Sequence, residues 1–183
     1  MAQAQRESAQ TNQHDLFAGG GAMGERMRAF DWGGTSLGPP ERWPQSLRTT
    51  VGTCLASRFP ILIWWGPEQV MLYNDAYTSI LGDKHPRALG QPGRVVWPEI
   101  WSIIGPMLGA VLERGEASWS NDQLLLLERY GFAEECYFTF SYSPVRDESG
   151  AVAGVFTVVT ETTERVVGTR RLHTLSNLAA RTG

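Results

Sequence analysis

The side chains that most often carry out chemistry in proteins are few in this chain and lie far apart. Its two cysteines, Cys54 and Cys136, and its three histidines are too scattered to predict a tetrahedral metal cluster. Glu134 and Glu135 are adjacent, and neighbouring residues of a strand point to opposite faces, so they would not form the carboxylate pair that many hydrolases use. These residues predict neither a metal site nor a paired acid and base.

Two serines and one histidine could also be reactive, but their sequence context does not predict catalysis. Ser141 and Ser143 have no histidine near them in the sequence, so a nucleophile there would need a base from a distant part of the fold. His173 lies in a charged helical pattern, and Thr174 follows it instead of the acidic residue that normally follows a phospho-accepting histidine. We interpret His173 as solvent-facing. We therefore expect this chain not to be an enzyme.

The composition indicates one domain with extensions. A chain of 183 residues, of which 42% are hydrophobic, can bury one core. The net charge of -3 gives no broad basic surface, so we expect no nucleic acid partner. Two cysteines are too few for a disulfide framework and favour a cytoplasmic location. The longest apolar run, Phe59 to Trp65, is far shorter than the roughly 20 residues that cross a bilayer, so we expect no membrane span.

The first part of the chain is predicted to be a leader followed by an arm. Residues 1–23 begin with a polar stretch and end near a glycine triplet, which is typical of a disordered leader. Residues 24–58 combine turn residues and packed tryptophans with an amphipathic helix. In that helix Leu47, Val51 and Leu55 share one face, and its end is expected near Ser57.

Periodicity in the rest of the chain predicts an α+β fold with one five-stranded antiparallel sheet. Helices are expected between the second and third strands, and the strands themselves at 61–65, 70–73, 117–129, 134–143 and 151–160. Asn74 or Asp75 is predicted to cap a short helix that ends at Gly82. Pro106 falls inside a longer helical pattern, and it either bends that helix or begins a second one.

The order of these elements resembles that of the PAS sensory family. Three motifs carry the resemblance: YNDAY after the second strand, SPVRDESGAVAGV across the last hairpin, and ETTER at the exit of the sheet. It covers residues 59–165, and residues 166–183 resemble the start of a C-terminal signalling helix. The flanking segments also resemble the amino-terminal PAS module of bacterial multi-domain sensors of the histidine kinase type. This resemblance implies a PAS fold with helices on one face of the sheet and a downstream sensory or kinase domain in the same polypeptide.

The resemblance further implies a cavity between the sheet and the helices, lined by apolar side chains and a few polar groups. Its candidate lining residues are Tyr73, Asn74, Tyr77, Trp97, Trp101, Ile104, Phe138 and Phe140. Alternation along the fourth strand does not decide which face points inward, and we expect the face with Phe138 and Phe140 to do so. Plain core packing without a ligand explains the same residues equally well.

The family also suggests which cofactors to consider. Its flavin-binding branch needs a reactive cysteine after the first helices, and residues 84–97 contain none. A haem-binding version needs an axial histidine on the helical side of the cavity, where His85 lies in a Lys-His-Pro turn that is typical of a surface. We therefore expect neither flavin adduct chemistry nor haem, and the identity of any cofactor or ligand stays open.

The exit of the sheet departs slightly from the family. Most members have Asp-Ile-Thr there, whereas this chain has Glu161, Thr162 and Thr163, followed by Arg165. A charge and a hydroxyl are kept. We expect these four residues to relay changes from the last strand to the helix that follows.

The apolar pattern of the helix that follows the sheet, in residues 166–183, predicts a homodimer. Leu172, Leu175 and Ala179 have the i, i+3, i+7 spacing of a coiled-coil seam. The seam is shorter than two heptads, so it is marginal by itself.

Two functions remain open at this point. The first is an input domain that senses a small molecule in the cavity and relays the change through the C-terminal helix to an output domain. The second is a ligand-free PAS module that serves as a dimerisation and relay element.

Overall fold

A five-stranded antiparallel sheet forms the centre of residues 16–182, the part of the chain described by a computed structural model. Among the described residues, the α-helices α1 (Gly21–Ala29) and α2 (Gln45–Ala56) precede the sheet. The remaining elements are β1 (Ile61–Trp65), β2 (Val70–Tyr73), α3 (Thr78–Leu81), α4 (Gly93–Val96), α5 (Trp101–Arg114), β3 (Ser118–Leu127), β4 (Glu134–Arg146), β5 (Val152–Glu161) and α6 (Thr163–Thr182). The strand order is β2-β1-β5-β4-β3. The predicted fold class and the place of the helices between β2 and β3 are confirmed.

Strand β1 is apolar throughout because both of its faces are covered. All five of its residues are buried. Leu62 and Trp64 point to the side that carries a cavity, while Ile61, Ile63 and Trp65 alternate with them and point to the other side. Helix α2 packs on β1 and β2. A continuous hydrophobic run is what a strand buried on two faces requires.

Residues 16–23, which precede the arm, are packed against the rest of the domain. Phe17 and Met23 are buried in the core, and α1 begins inside the segment that was predicted to be a leader. The first amides of α1 are capped from a distance: the carboxylate of Asp75 accepts hydrogen bonds from the backbone N–H of Ala22 at 3.1 Å and of Met23 at 2.6 Å. The prediction of disorder is therefore wrong for residues 16–23, and its remaining part, residues 1–15, lies outside the described residues.

The tryptophans of the arm pack inside the chain, as predicted. Trp32 and Trp43 are buried, and their ring centroids lie 4.9 Å apart in an edge-to-face arrangement. Their indole N–H groups donate to the carbonyl oxygens of Met27 and Gly38, both at 2.8 Å. Buried indoles need such partners, and these bonds fix the arm on the body.

Helix α5 runs continuously through Pro106, so it is one helix and not two. Proline lacks the N–H that would bond to the carbonyl of Ser102, one turn earlier. Both residues are exposed, and water can satisfy that carbonyl. The proline is thus tolerated on the outer side of the helix, while Ile104, Leu108 and Val111 are buried on the inner side.

Helix α6 starts two residues after β5 and extends away from the sheet. It begins at Thr163, three residues before the predicted boundary of the signalling helix. From Thr169 to Ala180 its residues are exposed, including Leu172 and Leu175, which are 70% and 62% exposed. Within residues 16–182, no helix has both the length and the hydrophobicity that crossing a bilayer requires.

Candidate functional site

A cavity of about 40 Å³ lies between the inner face of the sheet and the helices. All of its lining residues are buried, and almost all are apolar or aromatic. They are Leu62, Trp64, Tyr77, Ile80, Trp97, Ile100, Ile104, Leu125, Leu127, Phe138, Phe140, Tyr142, Thr157 and Val159. The walls therefore come from β1, β3, β4 and β5 on one side and from the helical segment on the other.

Five of the eight candidate lining residues lie at this cavity: Tyr77, Trp97, Ile104, Phe138 and Phe140. The phenylalanine face of β4 points inward, because Cys136, Phe138, Phe140 and Tyr142 are buried and the alternate residues are half-buried or exposed. The lining residues of β3 and β5 were not predicted from the sequence. Their signal was the alternation of apolar residues, which marks a core face without identifying a cavity.

Asn74 does not line the cavity, because its side chain holds three segments together. Its Nδ2 donates to the carbonyl oxygens of Cys54, Ser57 and Phe59 at 3.1, 3.0 and 2.8 Å. Its Oδ1 accepts from the backbone N–H of Ile61 at 3.1 Å and of Tyr77 at 3.2 Å, and the second of these bonds caps the helical turn as predicted. Its role in the described structure is to support the fold.

The other two candidates also lie outside the cavity lining. The Tyr73 hydroxyl lies 3.1 Å from Nδ1 of His85, and the two groups form a hydrogen bond with each other. Trp101 is half-buried and contacts Trp64, with 6.2 Å between the ring centroids. His85 is absent from the lining as well.

The polar groups at the cavity are two phenols, two indole N–H groups and a threonine hydroxyl. Burial raises the pKa of Tyr77 and of Tyr142, so both phenols stay neutral. The Trp97 indole N–H lies near the Tyr77 oxygen but has no hydrogen-bond partner in the described structure. Thr157 Oγ1 accepts from the Trp64 indole at 3.0 Å.

The cysteines are buried and unpaired with each other. Burial raises the pKa of Cys54 to about 12, which keeps it a neutral, unreactive thiol. Burial also raises the pKa of Cys136, although the nearby Arg129 opposes the shift. Among residues 16–182, no group of three or more histidine, cysteine or acidic side chains is arranged to hold a metal ion.

A second polar cluster lies where β5 meets α6. Arg129, which follows β3 and is almost fully buried, donates from Nη1 and Nη2 to the two carboxylate oxygens of Glu161 at 2.9 and 3.0 Å. Its Nε donates to Glu134 at 3.1 Å. The hydrogen bonds that Arg129 donates to Glu161, opposed by burial, raise the pKa of Arg129 further. Arg129 was missed in the sequence because its partners are 5 and 32 residues away.

The threonines of the exit motif connect α6 to β4. Thr163 Oγ1 accepts from the Tyr137 backbone N–H and donates to Glu161, both at 2.9 Å. The Thr162 backbone N–H donates to the Tyr137 carbonyl at 2.7 Å. The start of the helix is therefore held to the neighbouring strand.

Asp122 connects the same point to β3. The pairing of β3 with β4 is irregular between Ser120 and Gln123, and Asp122 has a φ of 49° there. Its carboxylate accepts from Thr162 Oγ1 at 2.7 Å and forms an ion pair with Arg165. These bonds, led by that from Arg165, lower the pKa of Asp122. The irregularity in β3 thus aims a carboxylate at the exit of the sheet.

One further ion pair links α6 to the sheet. Arg170 donates to Glu135 at 2.7 Å, and the Tyr137 hydroxyl donates to the same carboxylate at 2.8 Å. Both charged side chains are largely exposed, so this pair contributes little stability. It does define the direction in which the helix leaves.

A family model described as the PAS fold matches residues 56–167, which is more than half of the chain. The chain belongs to this family. In these terms the cavity lies inside the PAS domain, and the cluster of Arg129 and Glu161 lies at its C-terminal exit.

Two solved structures with a TM-score of 0.50 agree with this fold. An RNA-binding Light-Oxygen-Voltage receptor is similar with a TM-score of 0.50 and 21% identity, over 81% of this chain and 42% of that chain. The structure of RsLOV D109G is similar with a TM-score of 0.50 and 16% identity, over 64% and 68% of the two chains. A sensory box sensor histidine kinase from Vibrio cholerae has a TM-score of 0.43 and 16% identity, over 64% and 87%.

These likenesses concern the fold alone. The PAS chain spans less than half of the length of the RNA-binding receptor. No curated protein matches it.

Proposed function

We propose that this PAS domain is a cytoplasmic input module of a bacterial signalling protein. It senses a small molecule in its cavity and relays the change through α6 to an output domain in the same polypeptide. The observation that carries the proposal is that strand β5 runs from the cavity to the Arg129–Glu161 cluster at the start of α6. Thr157 and Val159 line the cavity, and Glu161, at the end of the same strand, holds Arg129.

The relay works through the bonds that hold α6 at its first turn. Tyr137 and Asp122 bind the exit residues Thr162 and Thr163 from two neighbouring strands. A small movement of β5 changes the geometry of these bonds together, because the strand and the helix are separated by a single residue. A ligand shifts the position of α6 only as far as it binds the two arrangements with different affinity.

The cavity lining supports the expectation that neither flavin adduct chemistry nor haem is used. Neither cysteine lies at the cavity, and His85 is bonded to Tyr73 outside it. The cavity of about 40 Å³ is also far smaller than the roughly 300–1,000 Å³ of pockets for drug-sized ligands. These residues do not fit a large cofactor.

A second candidate function is a ligand-free PAS module that dimerises and relays signals from another domain. The small cavity favours it, as do the exposed Leu172 and Leu175 on α6. In either case the domain is proposed to be non-catalytic, because Glu134 and Glu135 are each engaged by an arginine.

Two valines of β5 allow the relay to be tested. Val159 faces the cavity and Val158, its neighbour, faces the other side of the sheet. Val159→Leu adds one methylene group toward the cavity, and Val158→Leu adds the same group outside it. We expect Val159→Leu to change hydrogen exchange of the backbone amides at 162–166 several-fold, as a local opening equilibrium responds to a change of about 1 kcal/mol.

The matched variant Val158→Leu should leave those amides within about twofold of the wild type. Equal exchange at 162–166 in both variants, with both folded, would show that the cavity wall and the helix are not coupled. The input function would then be abandoned in favour of the second candidate.

A further inference from the structure

The cavity contains more hydrogen-bonding groups than its own residues use. The Trp97 indole N–H is buried and has no partner in the described part of the chain. Tyr77 and Tyr142 also line the cavity. The Tyr77 oxygen lies near the Trp97 N–H, and the Tyr142 hydroxyl has no hydrogen-bond partner among residues 16–182. Both tyrosines are at least nine-tenths buried. Buried donors of this kind are nearly always satisfied by a protein group, a water or a ligand.

The same cavity offers nothing to a charged molecule. Every lining residue is neutral, and burial keeps both phenols protonated. Lys84 Nζ lies 5.0 Å from the Trp97 indole centroid, but it is bonded to the Val96 carbonyl and to Glu99. An ion inside would lose its hydration without gaining a counter-charge.

The size of the cavity limits the molecule further. One water occupies about 10–15 Å³ of such space. A cavity of about 40 Å³ therefore has room for about three water-sized groups. A ligand much larger than this would have to open the sheet or the helices.

We infer that the PAS cavity binds a neutral molecule of about three non-hydrogen atoms that carries a hydrogen-bond-accepting oxygen, held by the Trp97 N–H and the hydroxyls of Tyr77 and Tyr142. Short alcohols and aldehydes are the chemical class. This inference rests on the proposed sensory function and names the class of its ligand.

Ethanol is a suitable probe, with propane as its uncharged isostere without oxygen and formate as an anion of the same number of heavy atoms. The full chain is titrated while the indole N–H resonance of Trp97, assigned by triple-resonance spectra, is followed. A ligand of three heavy atoms reaches a Kd of about 0.5 mM at best, so the titration extends to about 100 mM. We expect a saturable shift with ethanol, and binding at least about tenfold weaker for propane and formate.

Single hydroxyl deletions give matched variants. Tyr142→Phe removes a hydroxyl that has no partner among residues 16–182, and Tyr77→Phe removes the hydroxyl beside the Trp97 N–H. Both variants keep the aromatic ring, so the fold should be kept, and each should weaken ethanol binding about 3- to 10-fold. Tyr130→Phe removes the same group from an exposed residue outside the cavity and should leave binding unchanged.

Several results would overturn the inference: no saturable shift of the Trp97 resonance, equal binding of propane, unchanged ethanol binding in both cavity variants, or ethanol-soaked crystals that hold ordered water only. The amides at 162–166, recorded in the same spectra, separate this inference from the relay. Ethanol binding that leaves them unmoved supports the ligand class and contradicts the relay. No ethanol binding, while Val159→Leu still moves them, overturns the ligand class and keeps the relay.

Discussion

Arg129 and Glu161 form a two-pronged ion pair at the exit of the PAS domain, with Nη1 to Oε2 at 2.9 Å and Nη2 to Oε1 at 3.0 Å. The arginine is 9% exposed and follows β3, whereas the glutamate ends β5, two strands away in the sheet. A planar guanidinium matches a carboxylate in this geometry, which a lysine would not. The pair therefore fixes the end of β5 and, through Thr163, the start of α6.

Glu161→Gln is expected to destabilise the domain by about 1–3 kcal/mol, because it leaves the buried charge of Arg129 with one carboxylate partner fewer. Urea unfolding measures this change. Glu113→Gln, on the exposed side of α5, is the matched control and should stay within about 0.5 kcal/mol of the wild type. Equal stability of the two variants would mean that the pair contributes nothing measurable.

The contribution of Glu161 should disappear at low pH. Burial raises the pKa of Glu161, but hydrogen bonds from Arg129 and Thr163 and the arginine charge outweigh it and lower the pKa overall. A carboxylate with a lowered pKa in the folded state contributes its full stabilisation above the ordinary glutamate pKa of about 4.3. This stabilisation is lost as the pH falls through the pKa of the folded state. The difference in unfolding free energy between wild type and Glu161→Gln should be constant near neutral pH and shrink below about 4.3. A difference that stays constant down to about pH 3 would contradict this assignment.

Asn74→Ala should cost about 2–4 kcal/mol, since it removes five hydrogen bonds of a buried amide. The Tyr77 N–H and the Cys54 carbonyl keep a backbone partner, whereas the Ile61 N–H and the carbonyls of Ser57 and Phe59 lose the side-chain one. Thermal or urea unfolding measures the loss. The comparison is Asn177→Ala on the exposed part of α6, expected within about 0.5 kcal/mol of the wild type. A small effect of Asn74→Ala would show that water replaces the amide easily.

Two substitutions of Asp122 separate its charge from its backbone conformation. Asparagine tolerates the φ of 49°, so Asp122→Asn mainly loses the ion pair with Arg165, whereas Asp122→Ala also strains the backbone. We expect faster hydrogen exchange at the start of α6 in both variants, and a lower unfolding midpoint only in Asp122→Ala. If α6 exchanges as in the wild type in both, the carboxylate does not hold the helix.

The proposed homodimer seam is tested on α6. The double variant Leu172→Asp and Leu175→Asp should weaken self-association while the PAS core keeps its unfolding midpoint, because both leucines are exposed in the single chain. Sedimentation equilibrium gives the mass in solution. The control pair, Thr174→Asp and Asn177→Asp, adds the same charge on the opposite side of the helix. A mass that is unchanged by the leucine variants would exclude the seam.

Local patterns in the sequence determined the elements of this protein. Short apolar runs predicted the strands Ile61–Trp65 and Val70–Tyr73 with their observed bounds. The alternation of side chains along a strand placed Cys136, Phe138 and Phe140 on one face. The prediction that Asn74 or Asp75 caps the short helix is met by Asn74, because this cap acts on the amide of Tyr77, only three residues away. These features depend on neighbours along the chain, which a sequence displays directly.

Only the tertiary structure decided which distant groups meet. Asp75 caps α1 from more than 50 residues away, so the packing of residues 16–23 was not visible in their own composition. Parity placed Phe138 and Phe140 together but could not choose the inner face, and Asn74 and Tyr73 had partners that kept them from the cavity. The pairing of Arg129 with Glu161 arises because β3 and β5 flank β4, and such contacts depend on how strands are ordered in space, not on local spacing.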